Sequence, residues 1–167
     1  MAFMLGALSP DIAPVVDFFI LARTDREREH KWASLLSGGA PRSTRTGDWL
    51  EPSTYERFLT SAAHRMKRLL APLDRDNLYL NILWGYTAKE RLSRGLRVLS
   101  QGRVIITDRL HAHILSTLMG KPHVVVGNNS GKIRSFYETW TDKLDLVSWS
   151  NTPQAAYGDA LSLLVCR

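Results

Sequence analysis

Residues 103–126, RVIITDRLHAHILSTLMGKPHVVV, decide the fold. Val104 to Thr107 is short, apolar and β-branched, as a buried strand requires. Asp108 is placed to cap the helix that follows. That helix runs to Met119, is closed by Gly120, and is followed by Pro122. His123 to Val126 is a second buried strand. Two buried strands joined through a helix form a βαβ unit, in which the strands run parallel with a right-handed crossover.

The same alternation continues on both sides. Upstream, Val15 to Ala22 reads as a buried strand, Leu78 to Trp84 (LYLNILW) as another, and Thr87 to Gln101 as a helix. Gly102 would then end that helix in the left-handed conformation. Downstream come a loop at 127–132, a short helix at 135–141, a strand at 144–149 and a closing helix at 152–164. Between residues 55 and 70, Tyr55, Phe58, Leu59, Ala62, Ala63, Met66, Leu69 and Leu70 fall on one helical face, and Pro72 helps to end it. Residues 36–54 are rich in Gly, Pro, Ser and Thr and read as an irregular connection. The expected fold class is α/β, a Rossmann-like parallel sheet with flanking helices, forming a single domain over residues 1–167.

Composition agrees with a globular domain. The chain has 167 residues, 44% of them hydrophobic and 23% charged, which excludes wholesale disorder and collagen-like repeats. A single cysteine, Cys166, excludes an intramolecular disulfide framework and a multi-cysteine metal site. The apolar run 12–22 is interrupted by Asp17 and is too short to span a bilayer. Residues 1–10 lack a signal-peptide pattern, so a cytoplasmic location without an integral membrane segment is expected. The net charge is +6, and Arg supplies 16 of the 22 basic residues. Arginine's planar fork of donors suits carboxylates and phosphates. The basic residues are dispersed among acidic ones, as in Arg23 to Lys31, which is the pattern of a solvated surface and not of a polybasic arm.

Ligands of open α/β sheets bind beyond the carboxyl ends of the strands. Three segments put polar residues there. In 103–113, Arg109 and His111 lie in the first turn of a helix, where backbone N–H groups and the positive dipole end welcome an anion. Imidazole titrates near neutrality, which suits proton transfer. Plain capping by Asp108 beside an exposed Arg and His would look the same. His113 points to another face and reads as structural, and residues two apart on a helix do not converge on a metal. In 127–140, Gly127, Asn128, Asn129, Ser130, Gly131, Lys132 and Arg134 could wrap an anion, with Asn129 and Lys132 the main candidates; a surface turn is the alternative. The spacing is not that of a P-loop. In 21–30, Arg23 directly follows a strand, as a surface helix start also would. Trp84, Trp140 and Trp149 read as core or rim residues, although Trp140 and Tyr137 could instead stack on a sugar ring. No metal-ligand set is visible.

Together these segments resemble the polysaccharide pyruvyl transferase family. The stretch VIITDRLHAHILSTLMGKPHVVVGNNSGKIRSFYETWT is similar to the carboxyl-terminal signature of that family, and LARTDRE, RLSRGLRVLSQGR and AFMLG are similar to upstream segments. The resemblance implies a two-domain, GT-B-like arrangement of which this chain is the carboxyl-terminal half, with an amino-terminal partner domain elsewhere. It implies transfer of a pyruvyl group from phosphoenolpyruvate to sugar hydroxyls as a ketal, with release of phosphate. It assigns His111 as the acid/base residue and gives phosphoenolpyruvate to Arg109, the Leu110 backbone and Arg23. No cofactor is implied, phosphoenolpyruvate being the donor substrate, and no nucleic acid. The acceptor would be a lipid-linked or polymeric saccharide in exopolysaccharide synthesis, placing the chain in the cytoplasm near the inner membrane. Two other readings stand beside it: the nucleotide-sugar-binding half of a GT-B glycosyltransferase, and a non-catalytic basic binding module.

Overall fold

The structure, a computed structural model, describes residues 12–22, 32, 43–47, 58, 61–62, 65–66, 78–127 and 131–165. They fall into two compact units. One comprises Met1–Asp48 and Leu96–Arg167, the other Trp49–Gly95. Arg23, Asn129 and the Pro72 helix end lie outside the described residues, as do the segment AFMLG and most of LARTDRE.

The first unit is built on five parallel strands. These are β1 (Val16–Leu21), β2 (Thr44–Gly47), β3 (Gly102–Thr107), β4 (His123–Val126) and β5 (Val147–Ser150), in the order β2-β1-β3-β4-β5. Phe18 pairs with Thr44 on one side and Val104 on the other, Ile106 with Val124, and Val125 with Trp149. The unit's helices are α2 (Leu110–Leu118), α3 (Lys132–Phe136) and α4 (Pro153–Val165), with a π turn at Tyr137–Thr141 directly after α3; α1 (Leu78–Ser100) lies mostly in the second unit and ends in the first. Parallel strands flanked by helices make the α/β, Rossmann-like arrangement expected from the alternation.

Strand periodicity divides the core into two layers. On one face, Phe18, Ile20, Val104, Ile106, Val124 and Val126 meet Ala156, Ala160 and Leu164 of α4. On the other, Val125 and Val147 pack with Ile133, and Leu110, Tyr137 and Trp149 close over them. Both faces of β3 and β4 are covered, which is why their sequences are continuous apolar runs without alternation.

Several expectations need correction. Residues 78–84 are not a strand; they are the first part of α1. A short apolar run fits either state, and this one leads without a break into helix-forming residues. Thr87, expected to start the helix, lies inside it and donates its hydroxyl to the Trp84 carbonyl at 3.0 Å. In the second unit Phe58, Ser61, Ala62, Arg65 and Met66 are helical, as expected. Phe58 and Met66 are nonetheless exposed.

Gly102 is not a left-handed cap. It opens β3, and a Cβ there would lie 2.7 Å from the Phe19 Cβ and 2.8 Å from the Phe19 nitrogen. Glycine is needed for the close approach of β1. Gly120 does take the left-handed conformation, with φ +63°. Segment 36–54, expected to be irregular, carries β2 within it, added parallel to β1 at the sheet edge. The helix expected at 135–141 is α3 followed by the π turn, and the strand expected at 144–149 is shortened to β5.

Candidate functional site

With the order β2-β1-β3-β4-β5, the chain winds one way from β1 to β2 and the other way from β3 onward. The carboxyl ends of β1 and β3 therefore flank the topological switch point, where such sheets leave a crevice. Thr107 fastens its two sides together. Fully buried, it donates its hydroxyl to the Leu21 carbonyl at 2.8 Å. The same oxygen accepts the Arg109 N–H at 3.1 Å. This local turn corrects the capping expectation. The N-cap is Arg109, in extended conformation, and its N–H is held by the Thr107 hydroxyl. Asp108 is buried just before it.

Arg109 is half-buried, and its Nε donates to the Ala22 carbonyl at 3.4 Å, across the switch point. The first backbone bond of α2 runs from the His113 N–H to the Arg109 carbonyl at 3.0 Å. The Arg109 side chain makes no capping hydrogen bond. The N–H groups of Leu110, His111 and Ala112 thus form the positive end of a two-and-a-half-turn helix at the switch point. His111 is exposed in that first turn. A guanidinium, a helix N-terminus and an exposed imidazole thus stand together at the switch point.

Leu110 leads into a second feature. Together with Gly131, Lys132, Ser135, Phe136, Thr139 and Trp140 it lines an open cleft of about 510 Å³. Lys132 is exposed there. The structure therefore brings Arg109, Leu110 and His111 together at the head of α2 and sets Lys132 in the adjoining cleft. Arg23 follows Ala22, the residue that Arg109 contacts, but itself lies outside the described residues, as does Asn129. Sequence reasoning missed Thr107. The available signal was a hydroxyl ending the apolar run VIIT, where a strand finishing on the core would otherwise be aliphatic.

His113 is structural, as expected, and belongs to a buried relay. His123 Nδ1–H donates to the Lys121 carbonyl at 2.7 Å. His123 Nε2 is then an acceptor and takes the His113 Nδ1–H at 2.7 Å. His113 Nε2 in turn accepts the Thr141 hydroxyl at 3.0 Å. Each ring is neutral. Burial, and after it the neighbouring His123, lower His113 to about 3. Burial lowers His123 to about 4, against the opposing bond to Lys121. Phe136 packs edge-on against His113, 5.5 Å between ring centres. Among the described residues, no group of three His, Cys, Asp or Glu side chains could hold a metal ion. Nor is any helix there long and apolar enough to cross a membrane.

Residues 8–130 match the family described as Polysaccharide pyruvyl transferase. The chain belongs to that family. The matched span takes in β1 to β4 and the Arg109–His111 segment, and it ends before Lys132 and Trp140. Over 51 residues the chain is 59% identical to Pyruvyl transferase 1 of Schizosaccharomyces pombe, covering 30% of this chain and 13% of that protein. It is 34% identical over 53 residues to General stress protein 30 of Bacillus subtilis, covering 32% and 16%. With EpsO of the same bacterium it shares 32% identity over 60 residues, covering 36% and 19%. The aligned segments thus span less than a fifth of each of these relatives.

Proposed function

We propose that this chain carries the donor site of a pyruvyl transferase that moves a pyruvyl group from phosphoenolpyruvate to a saccharide as a ketal. The observation that carries the reading is the head of α2, where Arg109, anchored to the end of β1, is the N-cap of a helix whose first-turn N–H groups face the switch point. Phosphoenolpyruvate bears a carboxylate and a phosphate on one small carbon frame. Arg109, the Leu110 N–H and Arg23 would neutralise them with charge-assisted hydrogen bonds. Lys132 and Asn129 would add donors from the 127–132 loop.

The reaction needs a proton delivered to the methylene carbon, one sugar hydroxyl bonded to the central carbon, and the C–O bond to phosphate broken. A second hydroxyl then closes the ketal. Of the two hydroxyl protons, one balances the new methyl group and the other leaves with phosphate. His111, exposed in the first turn of α2, would carry these protons. The cationic cradle stabilises the departing phosphate. No cofactor enters this scheme. An amino-terminal Rossmann-like domain, in a GT-B-like arrangement, would complete the cleft. The acceptor would be a lipid-linked or polymeric saccharide handled at the cytoplasmic face of the inner membrane.

Calorimetric titration tests the reading. Phosphoenolpyruvate should bind the folded chain, bind more weakly to Arg109→Ala, and bind His111→Ala with nearly unchanged affinity. Uridine diphosphate should give no heat. Uridine diphosphate binding without phosphoenolpyruvate binding would overturn the reading in favour of a nucleotide-sugar enzyme. Steeply salt-dependent binding of nucleic acid, indifferent to Arg109→Ala, would overturn it in favour of a basic binding module.

A further inference from the structure

Ile133, Phe136, Tyr137 and Trp140 have the spacing of an amphipathic helix stripe. At about 100° per residue, an unbroken α-helix would bring Trp140 round to the same face as Ile133. The structure does otherwise. Ile133 is buried, and Tyr137 packs on Trp149 with ring centres 5.4 Å apart. Trp140, however, is 64% exposed, and the next residue, Thr141, is fully buried. The cause is the π turn. Asp142 N–H bonds the Tyr137 carbonyl, five residues back, at 3.0 Å. One extra residue in the turn moves every later side chain round by one position. Thr141 rotates inward to meet His113, and Trp140 rotates out into the cleft.

The largest aromatic side chain of the segment has therefore been moved from a core position to a cleft wall. Single π turns are rare and gather at functional sites. The cleft at about 510 Å³ is of small-molecule size. Its lining residues include two aromatics, Trp140 and Phe136, beside Ser135 and Lys132. That combination matches a pyranose ring, which offers an apolar face of C–H groups to an aromatic surface and hydroxyls at its rim. Tyr137, the other candidate for stacking, is engaged with Trp149 and belongs to the core.

We infer that the cleft lined by Leu110, Lys132, Ser135, Phe136 and Trp140 binds the acceptor saccharide, with Trp140 as its stacking platform. The inference rests on the saccharide-acceptor part of the proposed function, and it names the subsite. Leu110, shared between the cleft and the head of α2, would bring the acceptor hydroxyls beside the donor.

Saturation-transfer NMR on the 167-residue chain, without phosphoenolpyruvate, tests this. The probes are the methyl pyranosides of glucose, galactose and mannose. At least one should receive saturation on the C–H protons of one ring face. Trp140→Ala should weaken that binding by about tenfold, the effect of losing one aromatic stacking face, and Trp140→Phe should restore part of it. Thermal unfolding of Trp140→Ala should match the wild type, because the indole contributes little to the core. Equal transfer in wild type and Trp140→Ala, or no transfer from any of the three pyranosides, would overturn the inference. Phosphoenolpyruvate calorimetry on the same samples separates the two proposals. Donor binding that survives in Trp140→Ala leaves the proposed function standing whatever the sugar result, whereas absent donor binding counts against that function alone.

Discussion

The Arg109 side chain donates from Nε to the carbonyl oxygen of Ala22, 3.4 Å away, bridging the ends of β3 and β1. The bond orients a guanidinium at the point where the strand order reverses. Its position is fixed by the sheet and does not depend on a loop. An arginine held in this way loses less conformational freedom on meeting an anion than a free one would.

Arg109→Lys is therefore not a conservative change. Lysine keeps the charge, but it cannot donate to Ala22 and present a planar fork together. Affinity for phosphoenolpyruvate should fall by about 10- to 100-fold, the loss of roughly 1.5–3 kcal/mol for a hydrogen bond to a charged group. Arg109→Ala should do at least as much harm. Urea midpoints of both variants should stay near the wild-type value, since the residue is only half-buried. Calorimetry and urea titration on the same preparations check both halves.

Thr107→Val removes a hydroxyl and keeps the shape. Two partners lose their bond, the Leu21 carbonyl and the Arg109 N–H, in a fully buried place. The expected cost is about 2–4 kcal/mol, from a desolvation penalty of about 1–3 kcal/mol for a buried group left unpaired. Thr107→Ser should recover most of it. Donor affinity should drop in the valine variant as well, because the turn that sets Arg109 is loosened. A valine variant with wild-type stability would mean that the hydroxyl does not fasten the two strand ends.

Much of this architecture was legible in the sequence. The runs VIIT and HVVV, with a helix pattern between them ending at Gly120, are enough to define a parallel unit. Arg109 and His111 followed from their position after a strand. Three features were not legible, because in each the local signal fitted more than one outcome. LYLNILW is a short apolar run that also fits a strand, but it continues into α1. Asp108 is a favoured capping residue type, yet the N-cap is the next residue, Arg109, whose N–H bonds the Thr107 hydroxyl. Trp140 has helical spacing to Ile133, and only the π turn shows that it faces outward.

Two glycines make a controlled comparison. Gly102→Ala places a Cβ against backbone as well as side-chain atoms, 2.8 Å from the Phe19 nitrogen and 2.9 Å from the Val104 oxygen. Neither can move without disturbing the β1–β3 ladder, so the cost should be about 1–3 kcal/mol or more, as for overpacking. At Gly120 no atom lies within 4 Å of an added Cβ. There the penalty is conformational only, about 1–2 kcal/mol for an L-residue in the left-handed region. Gly120→Asn should cost less than Gly120→Ala, whereas Gly102→Asn should cost more than Gly102→Ala. Urea denaturation of the four variants reads the two opposite orders.

The buried relay predicts an acid-labile fold. Folded, His113 titrates at about 3 and His123 at about 4, both lowered chiefly by burial from 6.5. The unfolded chain therefore binds protons that the folded chain refuses whenever the pH lies between these values. Stability is full above about pH 6.5. It falls as the pH drops towards 4 and then 3, by at most about 1.4 kcal/mol per pH unit for each histidine. Below that range the two rings add no further pH dependence. Replacing both with leucine removes the partner of the Lys121 carbonyl and leaves the Thr141 hydroxyl to the longer bond with the Tyr137 carbonyl at 3.3 Å, so the double variant should be less stable than wild type near neutrality. Between about pH 6 and pH 4 its urea midpoint should nonetheless decline less steeply than that of the wild type. Parallel slopes would show that the two rings are not the groups held neutral in the fold, and that its acid sensitivity arises elsewhere.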